Sequence, residues 1–314
     1  MSSVEKKKKF VSIVVYLHND ERIIDSGIKF LYNAISSGFE NCEFIFVDDC
    51  SEDSGVEKIK AFAQTVSDQC SISIVSLGFF HGRERSMEVG VNMAIGDFVY
   101  EFDTMNIDYP QELILQLFEK AEDGFDIVAA KPVRNSLFFS KVFYKVMNAV
   151  LPNSQKISSE SFRLLSRRGI NRVYGNNQRM VYRKLVYASS GLNTESIPYE
   201  GNSQKANDNK KLRKYERSIA IDTFIVFTNV SFKISLILSA LMALLMLGFG
   251  IYTIIVYLGP GYVVPGWALI MGLMAAGFLG LFIISTIIIK YLDLLLKKTY
   301  NRDVNHISQI QKVK

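Results

Sequence analysis

The chain has 314 residues, 49% of them hydrophobic and 21% charged, with a formal charge of +5 and a mean hydropathy of +0.15. That hydropathy argues against an enzyme dissolved wholly in water, while the charged fraction leaves enough material for a water-facing domain with its own core. With 20 Gly, 6 Pro, 3 Cys and 12% aromatics, collagen-like, disulfide-scaffold and disordered classes are excluded.

The first element follows a basic run, Lys6 to Lys9. Phe10 to Tyr16 reads FVSIVVY, a β-branched strand that ends at His18, Asn19, Asp20 and Glu21, residues suited to a helix N-terminus. An amphipathic stretch from Ile23 to Ile35 predicts the helix. Glu43 to Val47 predicts a second strand that stops at Asp48 and Asp49. The pattern then repeats: Val56 to Val66 helical, Ser71 to Ser76 extended, Arg85 to Ala94 helical and Asp97 to Phe102 extended. Such alternation predicts an α/β domain with a mainly parallel, Rossmann-like sheet covered by helices on both faces.

In sheets of this kind ligands sit beyond the C-terminal strand ends, so those residues are the ones to read for chemistry. The ends are polar: Tyr16, His18 and Asn19, then Asp48 and Asp49, then His81, Gly82 and Arg83, then Asp103. Neither GxGxxG nor GxxxxGK[ST] is present, which removes the dinucleotide fingerprint and the P-loop. Carboxylates at strand ends can instead accept hydrogen bonds from ribose or base, or hold a divalent cation against a diphosphate.

Further along, apolar residues at Phe139, Val142, Phe143, Val146, Met147 and Val150 fall at helical spacing, with Lys141 and Lys145 on another side. Residues 137–151 are thus a candidate interfacial helix on a lipid surface, or an ordinary core-facing one. Leu236 to Leu258 and Trp267 to Ile289 carry no charge, and each is long enough to cross a hydrocarbon layer of roughly 30 Å. Lys and Arg crowd the outer flanks, at Lys205 to Arg217 and at Lys290, Lys297, Lys298 and Arg302. They do not form one basic surface interleaved with aromatics, so a nucleic-acid partner is not expected.

The positive-inside rule then places both ends in the cytoplasm, with a catalytic domain over 1–230, a two-helix transmembrane hairpin over 231–292 and a cytoplasmic tail over 293–314. No cleavable signal is expected, because Phe10 is reached without an apolar core of the required length. Cys42, Cys50 and Cys70 fall in the cytoplasmic part without metal-ligand spacing, so reduced thiols are expected.

The segments VSIVVYLHNDE, FIFVDDCSEDSG, HGRERSMEVGVNMAIGD, EFDTMNIDYPQEL and SFRLLSRR stand in the order and spacing of a known family. With the paired apolar spans, the whole chain resembles the family-2 inverting glycosyltransferases of the GT-A fold, most of all those that use polyprenyl phosphates. The resemblance implies a nucleotide diphosphate sugar as donor, a polyprenyl phosphate as acceptor, membrane lipids as surroundings and Mg or Mn as cofactor, in the plasma (inner) membrane. It leaves a homo-oligomer open.

Residue by residue, the resemblance sets Asp48 and Asp49 at base and ribose, Tyr16 and Asn19 at the first strand end, and His81 and Arg83 beside the donor phosphates. It makes Asp103 the first Asp of the metal-carrying D-x-D and puts Arg163 on the acceptor side. The second Asp of D-x-D is Met105, a poor partner for a hard cation; Asn106 and Asp108 are near enough in sequence to substitute. The family's stretch before the membrane lacks its Gly and Ser here, leaving Lys210, Lys211, Arg213 and Lys214 for an acceptor phosphate. A phosphate acceptor needs no strong base, whereas a sugar hydroxyl would need Asp108 or Glu160. The alternatives are a lipid-linked sugar or polysaccharide acceptor, and a non-catalytic nucleotide-binding scaffold.

Overall fold

The computed structural model describes residues 6–66, 69–133, 138–150, 157–174, 182–201, 210–227 and 307–312, with scattered positions between 237 and 295. Two compact units divide the chain: Met1–Ala220 with Val304–Lys314, and Ile221–Asp303.

In the first unit, β1 (Lys7–Leu17), β2 (Phe39–Asp48), β3 (Cys70–Leu77) and β4 (Phe98–Phe102) alternate with α1 (Glu21–Gly38), α2 (Gly55–Ala63) and α3 (Arg83–Met93). There follow α4 (Glu112–Glu122), β5 (Ile127–Pro132), α5 (Phe138–Val150), β6 (Phe162–Ser166), α6 (Arg167–Tyr174), α7 (Arg183–Ser189), β7 (Thr194–Tyr199), α8 (Lys210–Phe227) and β8 (Ile307–Lys312). The strands form one sheet in the order β7-β5-β6-β4-β1-β2-β3-β8. Pairing is parallel throughout β4-β1-β2-β3 and between β5 and β7; β6 and β8 run against their neighbours. The expected mainly parallel α/β sheet is present, with two reversed strands.

Both faces of the central strands are covered, which is why they read as unbroken apolar runs. Val11, Ile13, Val15 and Leu17 of β1 join one core with α1 and α4, while Val14 and Tyr16 join a second core with α3, as the alternation of side chains along a strand requires. Cys42 and Cys70 are register partners on β2 and β3, with Cα atoms 4.6 Å apart, and are joined as a disulfide, which corrects the expectation of three reduced thiols. Cys50 is free.

β8 comes from the stretch expected as a tail, so the chain leaves the sheet unit after Ala220 and rejoins it at Val304. On α5, Met147 is fully buried and the Phe143 ring lies 6.0 Å from that of Tyr182, so these two members of the apolar stripe face protein. In the second unit, Ile237, Leu241, Leu244, Phe278, Leu281 and Leu295 are each more than half exposed. The continuous apolar spans expected at 236–258 and 267–289, and their connector, lie largely outside the described residues. Among the described residues no helix is long and apolar enough to cross a membrane.

Candidate active site

At the end of β1 the chain turns through Asn19 in the left-handed region (φ 57°), a conformation that asparagine tolerates better than most side chains. Its amide oxygen accepts from Glu52 N at 2.8 Å, and its backbone N–H donates to Ser51 Oγ at 3.1 Å. Asp48, at the end of β2, accepts from Ser51 N at 3.0 Å; burial pushes its carboxyl up, against the bonds from Ser51. Asp53 binds the two neighbouring helices together, accepting from Glu21 N at 2.8 Å and Gly55 N at 3.1 Å.

Asp49, expected at the nucleotide, has no exposed surface and spends its carboxylate on the loop after β3. Oδ1 accepts from His81 N at 2.7 Å; Oδ2 accepts from Gly82 N at 2.7 Å and from the Tyr16 hydroxyl at 3.0 Å. Burial first, then the Asp49 charge, raises the Tyr16 hydroxyl far above its ordinary value, so it stays a donor. Gly82, at φ 83° and ψ 161°, holds a conformation essentially restricted to glycine, and the Tyr215 ring of α8 occupies the space a Cβ would need. Lys211 lies 4.5 Å over Phe80 in the same loop.

This loop carries two buried nitrogens without a hydrogen-bond partner among the described residues, His81 Nε2 and Arg83 Nε. The His81 ring stacks on Phe79 at 4.0 Å and its Nδ1 donates to the Phe79 carbonyl at 2.6 Å. Arg83 sits 5.7 Å over the Tyr16 ring and pairs through Nη1 with Glu216 at 2.6 Å. An unpartnered buried donor is costly, and a phosphate would satisfy Arg83 Nε.

Asp103, just beyond β4, belongs to a buried ionic network. Arg163 donates to Glu101 at 2.9 Å and to Asp103 Oδ2 at 3.2 Å, and its Nε lies 3.3 Å from Glu160. Arg183 donates to Asp103 Oδ1 at 2.5 Å, Glu101 at 2.8 Å and Glu84 at 3.0 Å, and the Tyr187 hydroxyl donates to Glu101 at 2.6 Å. Burial alone would raise the Asp103 carboxyl, but Arg183, Arg163 and Arg83 outweigh it and hold the group well below the usual carboxylate range. Both Asp103 oxygens are fixed, and the side chain keeps 12% exposure where that of Glu101 has none.

Met105, in the position of the second Asp, is 1% exposed and packs in the core against Gly27, where a Cβ would come within 2.9 Å of its Cε. Asp108 accepts from the Tyr199 hydroxyl at 2.8 Å, and Tyr199 shares a second hydrogen bond with Ser161. No group of three or more His, Cys, Asp or Glu among the described residues is placed to hold a metal. Glu84, Glu101, Asp103 and Glu160 face Arg163 and Arg183, and Arg83 and Lys184 add positive charge at Asp103. With both Asp103 oxygens taken by guanidiniums and Met105 turned into the core, the described residues do not fit a divalent cation.

The three arginines of SFRLLSRR separate. Arg163 is buried in the network; Arg167 donates to the Gly96 and Ala94 carbonyls beyond α3; Arg168 pairs with Asp126 at 2.7 Å. Glu84, Glu101, Arg183, Tyr215 and Glu216 escape the sequence reading. Only Glu101 leaves a signal, as a lone charge inside the apolar strand FVYEF and in register with Arg163.

The chain is similar to curated proteins and to solved structures. An uncharacterized glycosyltransferase of Synechocystis sp. is 26% identical over 278 residues, 86% of this chain and 85% of its own. An undecaprenyl-phosphate 4-deoxy-4-formamido-L-arabinose transferase of Edwardsiella ictaluri is 23% identical over 268 residues, 84% and 81% of the two chains. A prophage bactoprenol glucosyl transferase homolog of Escherichia coli is 27% identical, over 64% and 66%. Among solved structures, the mannosyltransferase PcManGT of Pyrobaculum calidifontis, in complex with GDP-Man and Mn2+, superposes with a TM-score of 0.51 at 13% identity, covering 94% of this chain and 88% of that one, a likeness of fold. The model of glycosyl transferase family 2 matches residues 12–184, more than half of the chain. The protein is therefore a member of glycosyl transferase family 2, with an α/β fold of the GT-A type.

Proposed function

We propose that the protein transfers a sugar from a nucleotide diphosphate sugar to a polyprenyl phosphate, with inversion, at the surface of the membrane in which its apolar unit sits. The observation that carries the donor side is the loop held by Asp49, which offers Arg83 Nε and His81 Nε2 as buried unpartnered nitrogens at the mouth of the sheet. Asp48 and Asn19 line the base and ribose side. Asp49 acts by fixing the loop, and Tyr16 by fixing Asp49 and lying under the Arg83 guanidinium.

The acceptor side rests on the relatives that act on undecaprenyl phosphate and bactoprenol, and on exposed Lys211 and Lys214 at the start of α8. An acceptor phosphate oxygen attacks the anomeric carbon from the face opposite the diphosphate. The new C–O bond forms as the bond to the diphosphate breaks, and the nucleoside diphosphate leaves with the electron pair. Since the phosphate is already anionic, the chain's task is positioning and charge stabilisation, and Asp108 is not required as a base. Arg83, beside the donor loop, would supply positive charge to the leaving diphosphate.

The test is incubation of detergent-purified protein with candidate nucleotide sugars and undecaprenyl phosphate, followed by detection of a glycolipid. Product is expected with one donor, and Asp103→Asn should abolish it. A phosphate-free sugar acceptor working equally well would shift the reading to hydroxyl transfer with Asp108 as base. Tight nucleotide binding indifferent to Mg or Mn, with no product from any donor, would make the chain a binding scaffold.

A further inference from the structure

We infer that the transfer needs no divalent cation, because Arg83 and Lys184 meet the leaving diphosphate in its place; the inference rests on the donor side of the reading above. A hard cation at the mouth of the sheet requires oxygen ligands from the protein. Asp103 has none to give. Arg163 Nη2 donates to its Oδ2 at 3.2 Å and Arg183 Nη2 to its Oδ1 at 2.5 Å. Both arginines are buried, so a metal that displaced either would leave an interior charge unpaired. Nearby positions add no second ligand: Met105 is packed in the core, and Asp108 accepts from the Tyr199 hydroxyl.

Side chains supply the positive charge instead. Arg83 opens α3; its Nη1 pairs with Glu216 at 2.6 Å, its guanidinium lies over the Tyr16 ring, and its Nε is buried with no partner among the described residues. Lys184 is the second residue of α7, half-buried, and its ammonium has no hydrogen bond or ion pair among the described residues. The charges of both help to hold Asp103 ionised. Glu84, next to Arg83, accepts from the backbone N–H and Nε of Arg183, next to Lys184, at 2.9 and 3.0 Å. That double bond of neighbours keeps the two cations at one spacing. In the transfer, the bond from the anomeric carbon to the diphosphate oxygen breaks with its electron pair on that oxygen, while an acceptor phosphate oxygen supplies the pair for the new bond. One negative charge thus moves onto the nucleoside diphosphate, where cations fixed beforehand meet it as it develops.

The experiment uses the full chain in detergent, treated with EDTA. Calorimetric titration with UDP and with GDP, and glycolipid formation from candidate nucleotide sugars and undecaprenyl phosphate, are each measured in EDTA and then with Mn2+ or Mg2+. Wild type should bind one nucleotide and form product equally well in all three media. In Lys184→Ala, affinity for that nucleotide should fall about tenfold or more, the scale of one charge-assisted hydrogen bond, and neither metal should restore it. Its rate at saturating donor should fall as well, since the charge to be met grows as the bond breaks. Arg83→Gln should behave alike and is the measurement if melting curves show that Lys184→Ala does not fold.

Product that forms only with a metal, nucleotide binding that tightens when one is added, or a folded Lys184→Ala with unchanged affinity and rate overturns the inference and leaves the glycosyltransferase reading in place. Wild type that binds neither nucleotide, or yields no product from any donor, in all three media overturns that reading itself.

Discussion

Asp49 has a carboxylate that no solvent reaches and that two backbone N–H groups and a phenol share. Replacing it with Asn turns an amide N–H2 toward a donor and leaves at least one buried N–H of the loop unmet, so Asp49→Asn should cost on the order of 1–3 kcal/mol in denaturant unfolding. Nucleotide affinity should fall with it, since the same bonds set the loop. Gly82 permits a sharper comparison. Gly82 and Gly124 both have positive φ, 83° and 104°, but only at Gly82 does a neighbour, Tyr215, fill the space of a Cβ. Gly124→Ala should lower the melting temperature without touching nucleotide binding. Gly82→Ala should in addition weaken nucleotide binding by roughly a hundredfold, the scale on which small displacements of positioned groups act. Equal effects in calorimetry would remove α8 from the donor site. Asp48, Asp49 and Asp103 were legible in the sequence because acidic residues stop apolar strands. Arg183 was not, because a buried arginine at a helix start looks like one on a solvated helix face.

Secondary elements were legible in proportion to how completely they are buried. β1 to β4 and the helices between them follow from apolar runs and 3.6-residue periodicity, because both faces of those strands carry core. β7, reading TESIPY, is mostly exposed and contains a proline, as suits an edge strand, and it offers no apolar pattern to read. β6 was visible as the motif SFRLLS but not as a strand, since a charged arginine interrupts its apolar pattern and finds its partners, Glu101 on the neighbouring β4 and Asp103 and Glu160, only in the fold. The junction of β5, β6 and α6 carries a pH prediction. Burial would raise the Asp126 carboxyl, but hydrogen bonds from Arg168 and Ser166 prevail and lower it. The folded value therefore lies below the unfolded one, about 4. This contribution is fully present above that pH and fades as pH falls through the lowered folded value. Thermal melts of Asp126→Asn should thus be lower than wild type at neutral pH, with the difference shrinking toward pH 3; a constant difference would show that the ion pair is not its origin.

On the scale of the whole chain, β8 covers the outer edge of β3, the strand that leads into the donor loop. Ending the chain at Asp303 should uncover that edge, and hydrogen exchange at the β3 amides should quicken while β4 keeps its protection. A strand whose register partners, 73–77 and 307–312, lie so far apart in sequence leaves no mark in local periodicity. The pairing of β3 with β8 also imposes a rule of parity. A polypeptide that departs from a sheet at Ala220 and returns to the same sheet at Val304 has to finish on the side where it started. Any traverse of a bilayer by the intervening stretch must accordingly be made an even number of times, whatever the distribution of lysine and arginine. Reporters fused to the two termini should be quenched by the same impermeant reagent, and a pair reporting from opposite sides would show that the final strand and the sheet are never joined in the cell.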